Sequence, residues 1–421
     1  MNPEPLMNSF YDALETRPPA EREAQLIAAL PSLVAHAQES APAFAQILAG
    51  VDPAAVNSRE ALARLPVTRK PELLERQQAR RTEDPFGGFS TLRRGAAMPH
   101  IFASPGPIYE PDGATRDYWR AARALHAAGF RAGHLVHNAF SYHMTPGAFI
   151  MASGAHALGC TVFPAGTGQT EQQLQAIAEL RPDGYTGTPS FLRILVEKAQ
   201  ETGSDVTSLR RALTGGEALP PSLRDWFGDH GIAAFQSYAT ADLGLIAYET
   251  EAREGLVLDE GVLVEIVRPG TGDPVPEGEV GELVVTTLNP AYPLVRFGTG
   301  DLSALLPGPC PTGRTNTRIR GWMGRADQTT KIRGMFVHPA QVAAITRRFP
   351  EVLKARLVVS GEMANDSMTL RVEVASAPDE LRERIAEAIR DATKLRGDVE
   401  LLQPGSLPND GKVIEDARSY K

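Results

Sequence analysis

Cysteine is nearly missing from this chain: there are two in 421 residues, Cys160 and Cys310, far apart and in no CxxC or Cys/His cluster. That scarcity excludes a disulfide-stapled scaffold and argues against a thiolate zinc site. The two read as a buried apolar thiol at 160 and a loop thiol at 310. Positive charge is also short, with 43 Lys and Arg against 51 Asp and Glu, a net charge of −8 and a pI near 5.7. A nucleic-acid footprint needs a basic excess, so no nucleic-acid partner is expected, although a local basic patch for a nucleotide or coenzyme is compatible with this balance. Long apolar runs are lacking too. The richest one, GAFIMASGAHALGCTVFPAG, is broken by Gly, His, Ser and Pro and falls short of the ~20 continuous apolar residues of a membrane span. The opening MNPEPLMNSFYDALETRPP is acidic and proline-interrupted, without a basic leader or an apolar core. No membrane association is expected, and a cytoplasmic location is.

What is present is enough sequence for one large domain and a small one. With 42% hydrophobic and 22% charged residues, the composition is that of an ordinary globular protein. Residues 19–50 space Ala, Leu and Ile helically. From about 116 to 242 short apolar runs alternate with helical patterns: helix 116–129, strand 134–140, helix 146–158, strand 160–164, helix 169–180, strand 184–187, helix 190–202. Strands this short separated by helices require parallel pairing with helical crossovers. Between 243 and 320 the pattern becomes strand–turn–strand, as in GVLVEIVRPGTGDPVPEGEVGELVVTTL, which predicts an antiparallel sheet or small barrel. After Lys331 a compact α+β segment follows: helix near 340–348, strands near 356–359 and 368–374, helix near 378–394. The expected class is therefore α/β, with parallel sheets flanked by helices, a β-rich subdomain, and a small mobile α+β C-terminal domain. The expected boundary separates a large domain, 1–326, from a lid, 327–421.

Several short motifs carry chemistry. RFGTGDL at 296–302 places Asp301 beside a β run, where its carboxylate can accept two hydroxyl hydrogen bonds, as a ribose diol offers. GRADQTTKIRG at 324–334 is a polar turn flanked by Gly324, and about eighty residues later LPNDGKVIEDAR at 407–418 isolates Lys412 behind Gly411. TGGEALP at 214–220 sets paired glycines at a strand end before a proline-started helix, so that backbone can approach a flat ring. Together with HNAFSYHMTPGAF (137–149), GCTVFPAGTGQTEQQLQAIAELRPDGYTGTPSFLRILVEKA (159–199) and LTGGEALP (213–220), these motifs resemble the phenylacetate-CoA ligase family of the adenylate-forming enzymes. The resemblance spans roughly residues 60–421.

The resemblance implies a ligase that activates an aromatic or small organic acid as an acyl-adenylate and transfers it to coenzyme A, using ATP and magnesium. It implies that Lys412 swings in to bridge the carboxylate and α-phosphate oxygens, offsetting charge that grows in the transition state. Asp327 would lie at the hinge between the two domains, and Arg325 would contact nucleotide. Gly215, Gly216 and Glu217 would line the adenine, Tyr238 would stack on it, and Asp301 would hold the ribose. QSYATADLG at 236–244 matches the family's Tyr-Gly-x-Ser/Thr-Glu only in part: Asp242 stands one methylene short of the magnesium-binding glutamate, and Ala241 replaces a hydroxyl residue. Tyr142, His143, Thr145 and Gly147 fall where the acyl pocket lies, and YTGTPS at 185–190 borders the same cleft.

The sharpest departure is IFASPGPIYEPDG at 101–113, where the family carries a Ser/Thr/Gly-rich loop followed by a basic residue. Such a loop presents backbone N–H groups and hydroxyls to the β- and γ-phosphates. Pro105, Pro107 and Pro111 remove three donors, no lysine follows, and Glu110 and Asp112 add negative charge. Of the expected chemistry only Ser104 and Gly106 remain, which predicts a weak or differently built triphosphate grip. Three alternatives stay open at this stage: acyl transfer from a ready-made adenylate or thioester, loading of a carrier protein, and a non-catalytic nucleotide- or acyl-binding protein. Homodimerisation is a further possibility.

Overall fold

In the alternating part of the chain the apolar runs pair as the pattern requires. The computed structural model of the protein describes residues 10–326, 330–332, 335–361, 367–376, 378 and 380–418, so Asp327 lies outside the described residues. Two compact units form, one from residues 1–264, 285–297 and 306–322, the other from 265–284, 298–305 and 323–421.

In the first unit a sheet runs in the order Thr161–Phe163, Leu135–Asn138, Gly184–Gly187, Arg211–Thr214, Ala233–Thr240, all neighbours parallel. It then turns antiparallel through Gly244–Glu249, Leu256–Leu258 and Arg318–Ile319. The helical crossovers are Gly147–Leu158, Thr170–Leu180 and Pro189–Thr202. The last begins on the side chain of Thr188, which accepts from the N–H of Phe191 and caps the helix. Two apolar clusters bury the sheet. One contains Phe130, Val136, Leu213 and Phe235, the other Ile177, Tyr185, Leu192 and Ala212. Gly154 allows the helix Gly147–Leu158 to pack closely, since a Cβ there would lie 2.7 Å from the backbone of Ala121 and Ala122. The N-terminal residues with helical spacing form Pro19–Ser40 and Pro42–Ile47.

One expected helix is much shorter than its pattern. Instead of 116–129 it covers only Ala122–Ala127. Asp117 and Arg120 take φ of +52° and +64°, in the left-handed region, and the Asp117 carboxylate accepts from the N–H of Ala122 at 3.1 Å. The local side-chain bond outcompetes helix propagation across 116–121. The proline-rich stretch at 101–113 is also more ordered than a loop: Ile101–Ser104 and Ile108–Pro111 pair as an antiparallel hairpin.

Three strands of the β-rich section, Val262–Val267, Gly281–Thr287 and Phe297–Ser303, run across the boundary of the two units. In the second unit a four-stranded sheet is ordered Asp398–Leu402, Ser367–Val374, Val352–Ser360, Ile414–Asp416, with an antiparallel centre and parallel flanks. The helices Pro339–Thr346 and Leu381–Thr393 pack on it over a core that includes Val342, Ile345, Leu357, Leu370, Ile385 and Ile389. Among the described residues no helix is long and apolar enough to cross a membrane. Cys160 and Cys310 are both buried free thiols.

Candidate active site

The hairpin at 101–111 closes on a single carboxyl group. Glu110 is fully buried, and both donors of Ser104 reach it: the hydroxyl donates to Oε1, and the backbone N–H to Oε2 at 3.3 Å. Burial first, and the negative charge of Asp242 second, push the Glu110 carboxyl up to about 8. Asp242 follows the strand Ala233–Thr240, and Lys70 Nζ lies 2.9 Å from its Oδ2. The side chain of Asp242 is entirely buried, and neither oxygen has a well-shaped hydrogen bond among the described residues. The Tyr292 hydroxyl is likewise without a hydrogen-bond partner there. Burial, with Asp242 and Glu110 nearby, holds its pKa well above the ordinary tyrosine value. Ser104, Glu110, Asp242 and Tyr292 thus form one buried polar cluster, edged by the half-buried Lys70. Lys70 and Tyr292 carry no sequence signal of it, since each sits in an unremarkable helical or loop pattern.

Asp242 fits a magnesium ion, which takes one or two protein carboxylates and completes its shell with phosphate oxygens and water. Among the described residues Oδ1 accepts no hydrogen bond, whereas Oδ2 is already ion-paired with Lys70 at 2.9 Å, so a metal there would share the carboxylate with that ammonium, and no larger group of possible ligands comes together. The hairpin, by contrast, does not fit a triphosphate as it stands, because the donors of Ser104 are already taken by Glu110.

Against this hairpin lies the 137–149 segment, tied by the N–H of Ala103 to the carbonyl of Met144 at 2.9 Å. Its organiser is Asn138, buried at the end of its strand and not singled out by the sequence. The Nδ2 of Asn138 donates to the Tyr142 hydroxyl at 2.8 Å and to the carbonyl of Ala148 at 2.9 Å, while its Oδ1 accepts from Thr186 Oγ1 at 3.0 Å. Tyr142 is half-buried and meets Phe149 edge-on at 5.4 Å, and Phe149 in turn contacts Phe102 and His100. Burial raises the Tyr142 pKa. His143 is exposed and Thr145 half-buried, and Gly147 opens the following helix. The tyrosine, more than the histidine, therefore packs into this aromatic group.

Gly215 is buried at the end of Arg211–Thr214, where an added Cβ would come within 3.1 Å of Ser237 Oγ. Gly216, at φ +76°, and Glu217 are exposed, and the Glu217 carboxylate accepts from the N–H of Ser190 at 3.3 Å. The register of Ala233–Thr240 slips between Tyr238 and Ala239, a bulge of the kind that re-aims side chains at functional edges. Tyr238 and Asp242 flank that irregularity.

In the second unit Asp301 and Arg325 come together as an ion pair, with Nη1 2.9 Å from Oδ1. Backbone bonds lace the two segments, Ala326 N–H to the carbonyl of Gly300 at 2.7 Å and Leu302 N–H to that of Gly324 at 2.9 Å. Gly324 has φ +118°. Lys412 is exposed, and its ammonium makes no ion pair among the described residues. Its turn is pinned: Asn409 accepts from the N–H of Val280 at 3.2 Å, Asp410 pairs with the buried Arg356, and Gly411 takes φ +69°. Lys412 borders an open groove lined also by Arg268, Val280, Val342 and Lys354.

The family model described as AMP-binding enzyme matches residues 132–291, and that described as AMP-binding enzyme C-terminal domain matches 334–417. The phenylacetate-coenzyme A ligase of Thermus thermophilus is 35% identical over 95% of this chain and 96% of its own. That of Escherichia coli is 31% identical over 97% of each. Among solved structures, an open conformation of 2-hydroxyisobutyryl-CoA ligase in complex with 2-HIB-AMP and CoA superposes with a TM-score of 0.72 at 26% identity, covering 96% of this chain and 93% of that one. By likeness along nearly its whole length, the chain belongs to the phenylacetate-CoA ligase family of AMP-binding, adenylate-forming enzymes.

Proposed function

We propose that the protein is an acid–thiol ligase that activates an aromatic or small organic acid with ATP and passes the acyl group to coenzyme A. The observation that carries this reading is the near full-length match to phenylacetate-coenzyme A ligases, through both the AMP-binding segment and the C-terminal domain. In the first half-reaction a carboxylate oxygen of the acid attacks the α-phosphorus, the bond to the bridging oxygen breaks, and pyrophosphate leaves. In the second the CoA thiolate attacks the acyl carbonyl, the carbon–oxygen bond to AMP breaks, and AMP leaves.

The chain's own residues divide this work. Lys412, whose charge has no ion-pair partner among the described residues, bridges the acid and α-phosphate oxygens in the transition state. Asp301 accepts from the ribose hydroxyls, with Arg325 beside it. Gly215, Gly216 and Glu217 border the adenine and Tyr238 stacks on it. Tyr142, held by Asn138, with Thr145 and Gly147, shapes the acyl pocket, and the aromatic wall of Phe149 and Phe102 favours a flat or apolar acid. Magnesium held at Asp242 would offset negative charge on phosphate oxygens. Rotation of 327–421 about Asp327 would exchange Lys412 for the thiol channel between the half-reactions. A cytoplasmic location suits substrates of this kind.

The test is incubation with ATP, magnesium and a panel of aryl acids, assayed for pyrophosphate with and without CoA. Acid-dependent pyrophosphate together with a CoA thioester is expected. Thioester formed only on a carrier protein would change the acceptor, and binding of adenosine nucleotides without turnover would overturn the ligase reading.

A further inference from the structure

The hairpin at 101–111 stands where the resemblance puts the β- and γ-phosphates of ATP, yet its polar interior is already occupied. Ser104 spends its N–H and its hydroxyl on Glu110. Pro105 and Pro107 have no N–H to offer. Of the cations nearby in the same unit, Arg81 donates to the carbonyl of Pro107 at the exposed hairpin turn, and three others are engaged away from Ser104. Lys70 sits on Asp242, Arg120 bonds Asp259 at 2.9 Å as well as the carbonyl of Leu245, and Arg116 donates to the carbonyl of Ala157. A phosphate entering here would have to displace a buried carboxyl group from its two donors and then lie close to both Glu110 and Asp242.

We propose that Glu110 is an internal occupant of this loop that competes with the β- and γ-phosphates of ATP for Ser104, so that in the closed-hairpin state the nucleotide site favours AMP or an acyl-adenylate over the triphosphate. The inference rests on the ligase reading, because it concerns how that site ranks its own nucleotides. ATP must open the Ser104–Glu110 contact to be used, whereas the adenylate that follows carries no β- or γ-phosphate and is held with the contact intact. Glu110 thereby biases the site toward its own intermediate.

The experiment is calorimetric titration of the full chain with AMP, ATP–magnesium and a non-hydrolysable acyl-adenylate analogue, in the wild type, Glu110→Ala and Glu110→Gln. The wild type should bind ATP no more tightly than AMP. Glu110→Ala should raise the affinity for ATP relative to AMP by about tenfold, with AMP itself unchanged within about threefold. Glu110→Gln, which keeps the shape and one acceptor, should shift the ratio in the same direction by less. Wild-type binding of ATP more than about tenfold tighter than AMP overturns the assignment, as does an ATP-to-AMP ratio left unaltered in Glu110→Ala. The wild-type ratio and Glu110→Gln decide the matter should the alanine variant fail to fold. Absence of any AMP or adenylate binding in the wild type would overturn the ligase reading instead, which separates the two failures.

Discussion

Arg325 and Asp301 form an ion pair at 2.9 Å between two segments laced by backbone hydrogen bonds. The pair explains why RFGTGD and GRAD occur together in the sequence. Gly300 takes φ +73°, a conformation that favours glycine, and a Cβ there would lie 2.7 Å from the Arg325 guanidinium, which would have to shift. The arginine thus fixes the orientation in which the Asp301 carboxylate is presented.

Asp301→Asn keeps the shape but weakens the contact to Arg325 and, on the role proposed for Asp301, the acceptance of ribose hydroxyls. The affinity for AMP should fall about tenfold, which is ~1.4 kcal/mol. Titration of the variant checks it, and unchanged affinity would place the ribose elsewhere.

On the role proposed for it, Lys412→Ala should lower acid-dependent pyrophosphate release by orders of magnitude while leaving AMP affinity nearly intact, because such a contact would strengthen only in the transition state. The side chain is exposed and unpaired among the described residues, so the melting temperature should hardly move. Near-normal release would remove Lys412 from the mechanism.

Glu110 gives the fold a pH dependence of definite sign. Its carboxyl titrates near 4.5 when unfolded and near 8 when folded, so between these values the native state binds more protons. The stability this provides is fully present below about 4.5 and is lost as pH rises through 8, falling by at most about 1.4 kcal/mol for each unit of pH. Glu110→Gln should therefore lose less melting temperature than the wild type between about pH 6 and 9. Parallel melting curves for the two proteins over that range would contradict the assignment.

Asn138→Ala removes a buried amide and strands Tyr142, Thr186 and the carbonyl of Ala148 without their partner. We expect a loss of about 2–4 kcal/mol of stability and a raised KM for the acid, with AMP affinity little changed. Urea unfolding and acid titration of the rate measure the two effects, and an unaltered KM would take Tyr142 out of the acyl pocket.

Much of this protein is readable from local pattern alone. The strands at 184–187 and 211–214 and the helices at 147–158 and 170–180 follow from apolar periodicity, and short strands separated by helices permit little besides parallel pairing. Asp301, Arg325, Lys412 and Tyr238 are singled out by motifs a few residues long, and the roles proposed for them rest on the family resemblance. The helix expected at 116–129 was not legible in the same way, because the left-handed turns at Asp117 and Arg120 depend on a side-chain bond that periodicity does not register.

The sequence by itself therefore determined the layers, the family and the residue types available for chemistry. It also determined that the 101–113 stretch lacks donors, since proline has no N–H wherever it sits. Only the tertiary structure decided which groups meet: Glu110 filling Ser104, Lys70 covering Asp242, Asn138 joining Tyr142 to Thr186. Local patterns arise from neighbours along the chain and can be read there. A buried carboxyl group, however, takes its partners and its proton affinity from segments that packing alone brings beside it, and that meeting is where this site acquires its character.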